Sequence, residues 1–168
     1  PVARGVEYRR IQQDGIDAHA VRVDLDDRTL AVVATAGRER GLAVSEFAAG
    51  RGAVVAINAD YFDTSLDPIG LAMGDGEVWA RADERARRQE VVGVGGRRVR
   101  IFPRAEPLRE PKRWMTGAVS GWPMVVEDCT PVAQLPGSDH FTQAPHPRTA
   151  VGLSKNRRRL LLLVADGR

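Results

Sequence analysis

Apolar and polar residues alternate with a period of two through the first third of this chain, and turn-forming pairs break that alternation at short intervals. The pattern fits a pleated strand with one covered face and does not fit an amphipathic helix. Residues 6–11, 18–25 and 29–34 are therefore expected to be consecutive strands of a meander, with Asp14-Gly15 and Asp26-Asp27 as the turns between them. Residues 45–49 predict a short helix closed by Gly50. Residues 53–57 form a continuous apolar run of the kind expected of a strand buried on both faces.

Further along, residues 71–80 predict a hairpin turning at Gly74-Asp75-Gly76, and residues 91–102 another turning at Gly95-Gly96. Between them, residues 81–89 are mostly charged and read as a solvated loop or helical turn. Three prolines across residues 103–111 exclude a long regular element. Residues 115–126 read as strand, bend and strand, and 131–147 as a long irregular loop. Residues 149–153 and 160–165 pair as a last hairpin around Lys155-Asn156. The fold class is α+β, a strand-rich mixed sheet with few short helices. Residues 1–36 form the meander and 53–168 the part that carries the motifs.

A chain of 168 residues is long enough to bury its own core. Its one cysteine, Cys129, allows no intramolecular disulfide. Neither of the longest apolar runs, residues 53–57 and 160–165, approaches the ~20 residues of a membrane-spanning helix. The net charge is +3 and the isoelectric point about 9.6, which raises the question of a polyanionic partner. The basic residues are nearly all arginine, intermixed with acids, and their densest clusters, 81–88 and 157–159, lack interleaved aromatic residues. A base-stacking surface needs those aromatics, so nucleic acid is not expected.

Two constellations could carry chemistry. Asn58 and Asp60 lie two residues apart, so an extended backbone projects both to one side. Such an amide and carboxylate could bind sugar hydroxyls, orient a water or hold a divalent cation; alternatively they cap the backbone of an Asx-rich turn. An EF-hand is disfavoured, since its glycine and distal glutamate are out of place. In the second constellation, Arg148 opens one strand of the last hairpin and Asp166 closes the other, so antiparallel pairing is expected to bring them close. A guanidinium fork suits a phosphate and a carboxylate can orient it or serve as base, while the same pair could equally be a salt bridge at a sheet end. His140 and His146 do not have compact zinc spacing. Ser120-Gly121 lacks the setting of a nucleophile elbow, and Gly93-Val94-Gly95-Gly96 fails the dinucleotide-binding pattern.

Taken in order, "INADYFD", "PIGLAMGDGEV", "AVSGWPMVVED" and "HPRTAVGLSKNRRRLLLLVADGR" resemble the phosphodiester glycosidase family. The family shows a buried strand leading into Asn-Gly-Gly or Asn-Gly-Asp with an aromatic pair and Asp, then Pro-x-Gly and a D-G turn, Ser-Gly before a strand, and Arg-Thr-Ala-x-Gly ahead of a closing Asp-Gly. Ala59 stands where the first glycine is usual, a mild departure if φ there is negative.

The resemblance implies hydrolysis of a sugar-1-phosphodiester at the anomeric carbon, with a phosphorylated glycan or sugar phosphodiester as substrate. It implies catalytic roles for Asp60, Arg148 and Asp166. Asn58, Ser120, Gly121, His146, Thr149, Gly167 and Arg168 would bind substrate. No cofactor is implied, and a divalent cation at Asn58 and Asp60 stays an alternative. A secreted or cell-envelope bacterial protein is implied, its signal peptide outside this chain. The family continues past its Asp-Gly into a helix and an Asn-Leu-Asp-Gly-Gly segment. A missing C-terminal segment, of the same domain or as a second chain, is thus expected to cover an otherwise unpaired edge of residues 160–165. The rival readings are a non-catalytic carbohydrate- or envelope-binding module on the same scaffold, and a basic-surface interaction domain.

Overall fold

The computed structural model describes residues 2–81, 89–133, 135 and 144–167. Arg168, His140, most of the charged stretch 81–89 and most of the loop 131–147 lie outside the described residues.

The strands divide between two antiparallel sheets. In the first, β1 (Val6–Gln13) and β2 (Ile16–Asp24) form a hairpin through Asp14 and Gly15, both at positive φ. Next to β2 comes β11 (Arg159–Asp166), and β10 (Arg148–Leu153) follows, giving the order β1-β2-β11-β10. The second sheet has the order β4-β3-β7-β5-β6, from β3 (Ala72–Gly74), β4 (Glu77–Ala80), β5 (Glu90–Gly95), β6 (Arg98–Phe102) and β7 (Gly117–Gly121). A small ribbon pairs β8 (Val126–Glu127) with β9 (Thr130–Pro131), and the Trp122-Pro123 bond that precedes it is cis.

The sheets face each other across an apolar layer. Val23, Leu160, Leu162, Val151 and Leu153 come from the first sheet, and Val92, Val94, Val99 and Val119 from the second. Burying each such side chain is worth about 1.5–3 kcal/mol, which makes this layer the main tie between the sheets. A second cluster covers the other face of the second sheet, where Leu71, Met73, Val91, Phe102 and Ala118 meet Leu108 and Met115. Leu108 belongs to the proline-rich crossing, which is irregular as its prolines require.

The hairpins turn where the sequence places them. Asp75 and Gly76, both at positive φ, close β3–β4, and Gly96 lies in the β5–β6 turn. The single α-helix among the described residues, α1 (Val44–Arg51), runs past Gly50. Its left-handed cap is Gly52, and the Glu46 carboxylate accepts the Ala43 N–H at 2.9 Å.

Three expectations are corrected. Residues 29–34 form no ladder: Asp27 turns the chain by accepting the Thr29 N–H and hydroxyl, and one bridge, Val32 to Gly96, carries the segment across to the second sheet. The place beside β2 belongs to β11 instead. Residues 53–57 are not a strand either; they find no ladder partner among the described residues, and Val54 is 52% exposed. Apolar composition alone therefore produced no pairing there. Finally, β11 shows no unpaired edge, because β2 flanks it on one side and β10 on the other. Its inward residues Leu160 and Leu162 join the inter-sheet core, while Leu161 on the outer face is 44% exposed.

Candidate functional site

The segment from Asn58 to Tyr61 straddles the ends of the two sheets and bonds to both. The Thr149 hydroxyl on β10 donates to Asn58 Oδ1 at 2.7 Å, which ties the segment to the first sheet. Asp60 Oδ1 accepts the backbone N–H of Ser120 on β7 at 2.6 Å, which ties it to the second. Tyr61 donates its hydroxyl to the Trp122 carbonyl at 2.9 Å, just beyond the end of β7.

Asp60 has φ 60°, in the left-handed region that aspartate tolerates better than most side chains. Ala59 is not among the residues at positive φ, so the absence of a glycine there costs no backbone strain. The loop that follows is organised by Asp63, whose carboxylate accepts the N–H groups of Ser65 and Asp67, and Arg40 pairs with Asp67. Ile69 N–H returns to the Tyr61 carbonyl at 2.8 Å. Asp60 is thus held at the base of a closed loop.

Burial pushes the Asp60 carboxyl up to about 7, against the opposing pull of the Ser120 N–H. Such a group exchanges a proton near neutrality. Burial likewise raises the Tyr61 phenol, and the Arg148 charge acts against that rise, which puts the guanidinium within electrostatic reach of Tyr61. Ser120 is buried, and its hydroxyl donates to the Leu71 carbonyl at 2.9 Å. Ser120 thus bonds to both Leu71 and Asp60. Gly70 permits this packing, since a Cβ there would come within 2.3 Å of both Ser120 Cβ and Oγ.

The last hairpin pairs in antiparallel register, with Arg148 opposite Ala165 and Asp166 opposite Asp17 of β2. The register therefore sets Asp166 next to the ladder partner of Arg148, with neighbouring positions projecting to opposite faces. Gly167 lies against the His146 backbone, where a Cβ would come 2.1 Å from the His146 carbonyl oxygen. Gly121 pairs with Glu90 at the start of β5, with open space where a Cβ would stand. The sequence reading omitted Tyr61 and Trp122, which their mutual hydrogen bond ties to this segment. Both stood inside quoted motifs, Tyr61 in "INADYFD" and Trp122 in "AVSGWPMVVED".

No group of three or more His, Cys, Asp or Glu side chains suited to a metal ion occurs among the described residues. At the far end of the first sheet, Asp24, Asp26 and Asp27 line an open hollow of about 530 Å³, and each is engaged by an arginine: Arg159, Arg158 and Arg4 respectively. Among the described residues no helix is long and apolar enough to cross a membrane.

Two antiparallel sheets with the Asp60 carboxyl, the Asn58 amide and the Arg148 guanidinium toward one end define a strand-rich α+β domain. The chain belongs to the phosphodiester glycosidase family, whose model matches residues 51–168 and takes in every one of these side chains. The family's name is that of a glycosidase, a hydrolase acting on glycan-type substrates. None of the curated proteins compared with the chain matches it.

Proposed function

We propose that this chain hydrolyses a sugar-1-phosphodiester by breaking the bond between the anomeric carbon and the bridging oxygen. The observation that carries this reading is Asp60, a buried carboxyl held by the Ser120 N–H with its pKa raised to about 7, in the same end of the fold as Arg148. In its ionised form Asp60 takes a proton from the attacking water, and the water oxygen bonds to the anomeric carbon. The electron pair of the breaking bond leaves with the phosphomonoester. Arg148 neutralises the charge gathering on that phosphate, so the leaving group needs less protonation than an alcohol would. In this reading Asn58 and Thr149, which the structure pairs with each other, share hydrogen bonds with sugar hydroxyls. Asp166 is, in the same reading, the second catalytic carboxylate, His146, Gly167 and Arg168 bind substrate, and the working location is outside the cell or in its envelope.

Hydrolysis of a sugar-1-phosphodiester in ¹⁸O-labelled water tests the proposal. The label is expected on the released sugar and absent from the phosphomonoester. Label on phosphate would assign phosphodiesterase chemistry instead. Saturable binding of the diester with no turnover would favour the carbohydrate-binding module.

A further inference from the structure

The ladder register of the first sheet sets Arg10, His19, Val164 and Thr149 in one row, so all four project to the same face. In the next row toward Asp24, Val21, Leu162 and Val151 on that face pack against the inter-sheet core. The His19 row takes no part in that core. Its face opens to solvent at β1 and β2, where His19 and its diagonal neighbour Tyr8 are both exposed.

Tyr8 and His19 form a plate. Their ring centroids are 5.9 Å apart with the planes 17° from parallel, and the Tyr8 hydroxyl and His19 Nδ1 are in hydrogen-bond contact at 2.7 Å. The two rings thus satisfy one another at their edges, while Tyr8 stays 47% exposed. Beside the plate, Arg10 donates its Nε–H to Asp17 Oδ1 at 2.9 Å, which holds a guanidinium and a carboxylate at the rim. A single exposed tyrosine is ordinary on a protein surface. This one differs in its surroundings, because the same row ends at Thr149, whose hydroxyl bonds Asn58. Two strand spacings, about 9–10 Å, separate the His19 and Thr149 positions. A sugar bonded to Asn58 and Thr149 bridges that gap with one further ring.

We propose that Tyr8 and His19 form a subsite that stacks a second sugar ring on the glycosyl side of the scissile bond, so that the substrate is the phosphodiester of a di- or oligosaccharide. The inference deepens the glycosidase reading and rests on it for the place of the first ring. The apolar C–H face of a pyranose lies flat on the electron-rich face of an aromatic ring, and the hydroxyls around its edge meet Arg10 and Asp17. Arg148, which takes the phosphate in that reading, occupies the ladder position next to Thr149 and projects to the other face. The plate therefore lies on the sugar side of the bond and not on the phosphate side. Tyr8 and His19 also precede residues 51–168, so the subsite is a feature of this chain outside its family match.

The test uses the methyl phosphodiesters of glucose, maltose and cellobiose, each esterified at the anomeric carbon. In aromatic ¹H–¹³C NMR of the wild-type chain, the ring resonances of Tyr8 and His19 should shift saturably with at least one disaccharide diester and far less with the glucose diester. Steady-state kinetics should favour that disaccharide diester by about tenfold in kcat/KM, the scale of one aromatic stacking contact. Tyr8→Thr removes the ring, keeps a β-branched residue suited to a strand, and should reduce the preference to within about twofold. Tyr8→Phe keeps the ring plane and should keep most of the preference. Ring resonances that ignore both disaccharide diesters overturn the proposal, as does a preference unchanged in a Tyr8→Thr chain whose amide spectrum is that of the folded protein. If the wild-type chain hydrolyses none of the three diesters, the glycosidase reading falls. Ring shifts with a disaccharide diester, lost for His19 in Tyr8→Thr, would then still establish the subsite, and their absence would remove it.

Discussion

Asp60 and Ser120, sixty residues apart in sequence, meet through a 2.6 Å hydrogen bond from the Ser120 N–H to the Asp60 carboxylate. The bond favours the ionised carboxylate and burial favours the neutral acid; burial prevails and the pKa rises to about 7. This balance makes Asp60 both a proton carrier near neutrality and a burden on the fold.

Between the ordinary aspartate value of 3.8 and about 7, the folded chain binds a proton at Asp60 that the unfolded chain releases. Unfolding free energy therefore falls as pH rises through that window, by up to about 1.4 kcal/mol per pH unit. Asp60→Asn removes the titration and keeps a side chain that tolerates the left-handed backbone. It is expected to be more stable than wild type at pH 8, by roughly 2 kcal/mol or more, and nearly equal at pH 4. Chemical denaturation at the two pH values measures the difference. Hydrolysis by the same variant should be close to abolished.

Arg148 carries the charge of the leaving phosphate in this mechanism. Arg148→Ala should lower kcat/KM on a sugar-1-phosphodiester by about 10²-fold or more, the scale of losing one preorganised charge stabiliser. Arg148→Lys lacks the planar fork and should not recover the full rate. Activity within twofold of wild type in the alanine variant would take Arg148 out of the mechanism.

The hairpin turns were legible in the sequence because Asp75-Gly76 and Gly95-Gly96 dictate their own backbone geometry. Asn58, Asp60, Ser120, Arg148 and Thr149 were legible as candidates through motif order, and hydrogen bonds join Asn58 to Thr149 and Asp60 to Ser120. Misreadings came where alternation or apolarity stood in for pairing. Residues 29–34 alternate as a strand does but cross between sheets, and residues 53–57 are apolar but form no ladder among the described residues. Composition records how much of a segment is covered, whereas a ladder depends on a partner elsewhere in the chain. The Tyr61 to Trp122 contact went unread for the same reason, since no local pattern encodes a bond between residues 61 positions apart.

The Thr149 to Asn58 hydrogen bond joins the loop to the first sheet across 91 positions. Its partners are solvent-accessible, so Thr149→Val should cost only about 0.5–1.5 kcal/mol of stability. The effect on substrate should be larger, since the variant frees Asn58 from its fixed orientation. KM is expected to rise by about tenfold, with Asn58→Ala and the double variant giving similar values if the two act as a unit. Independent, additive effects would separate Asn58 from Thr149 as binding groups.

Gly70 controls the Asp60 to Ser120 contact from the other side. A Cβ at Gly70 would stand 2.2 Å from Ser120 Oγ, 2.3 Å from Ser120 Cβ and 2.7 Å from Gln89 Oε1, all shorter than side chains accept. Gly70→Ala must therefore push β7 or the Gly70 backbone aside, a form of overpacking that typically costs about 1–3 kcal/mol. If Ser120 moves, its N–H leaves Asp60, and the carboxylate loses the one interaction favouring its charge. The titration of Asp60 should then move above about 7, and the acidic limb of the pH–rate profile should shift with it to higher pH. Ser120→Gly in the same chain removes both clashing Ser120 atoms and leaves the N–H in place. The double variant is thus expected to recover most of the stability and return the Asp60 titration toward the wild-type value. Thermal denaturation and carboxyl NMR on the two variants read both effects, and a Gly70→Ala chain as stable as wild type with an unmoved titration would show that the contact has more slack than its geometry implies.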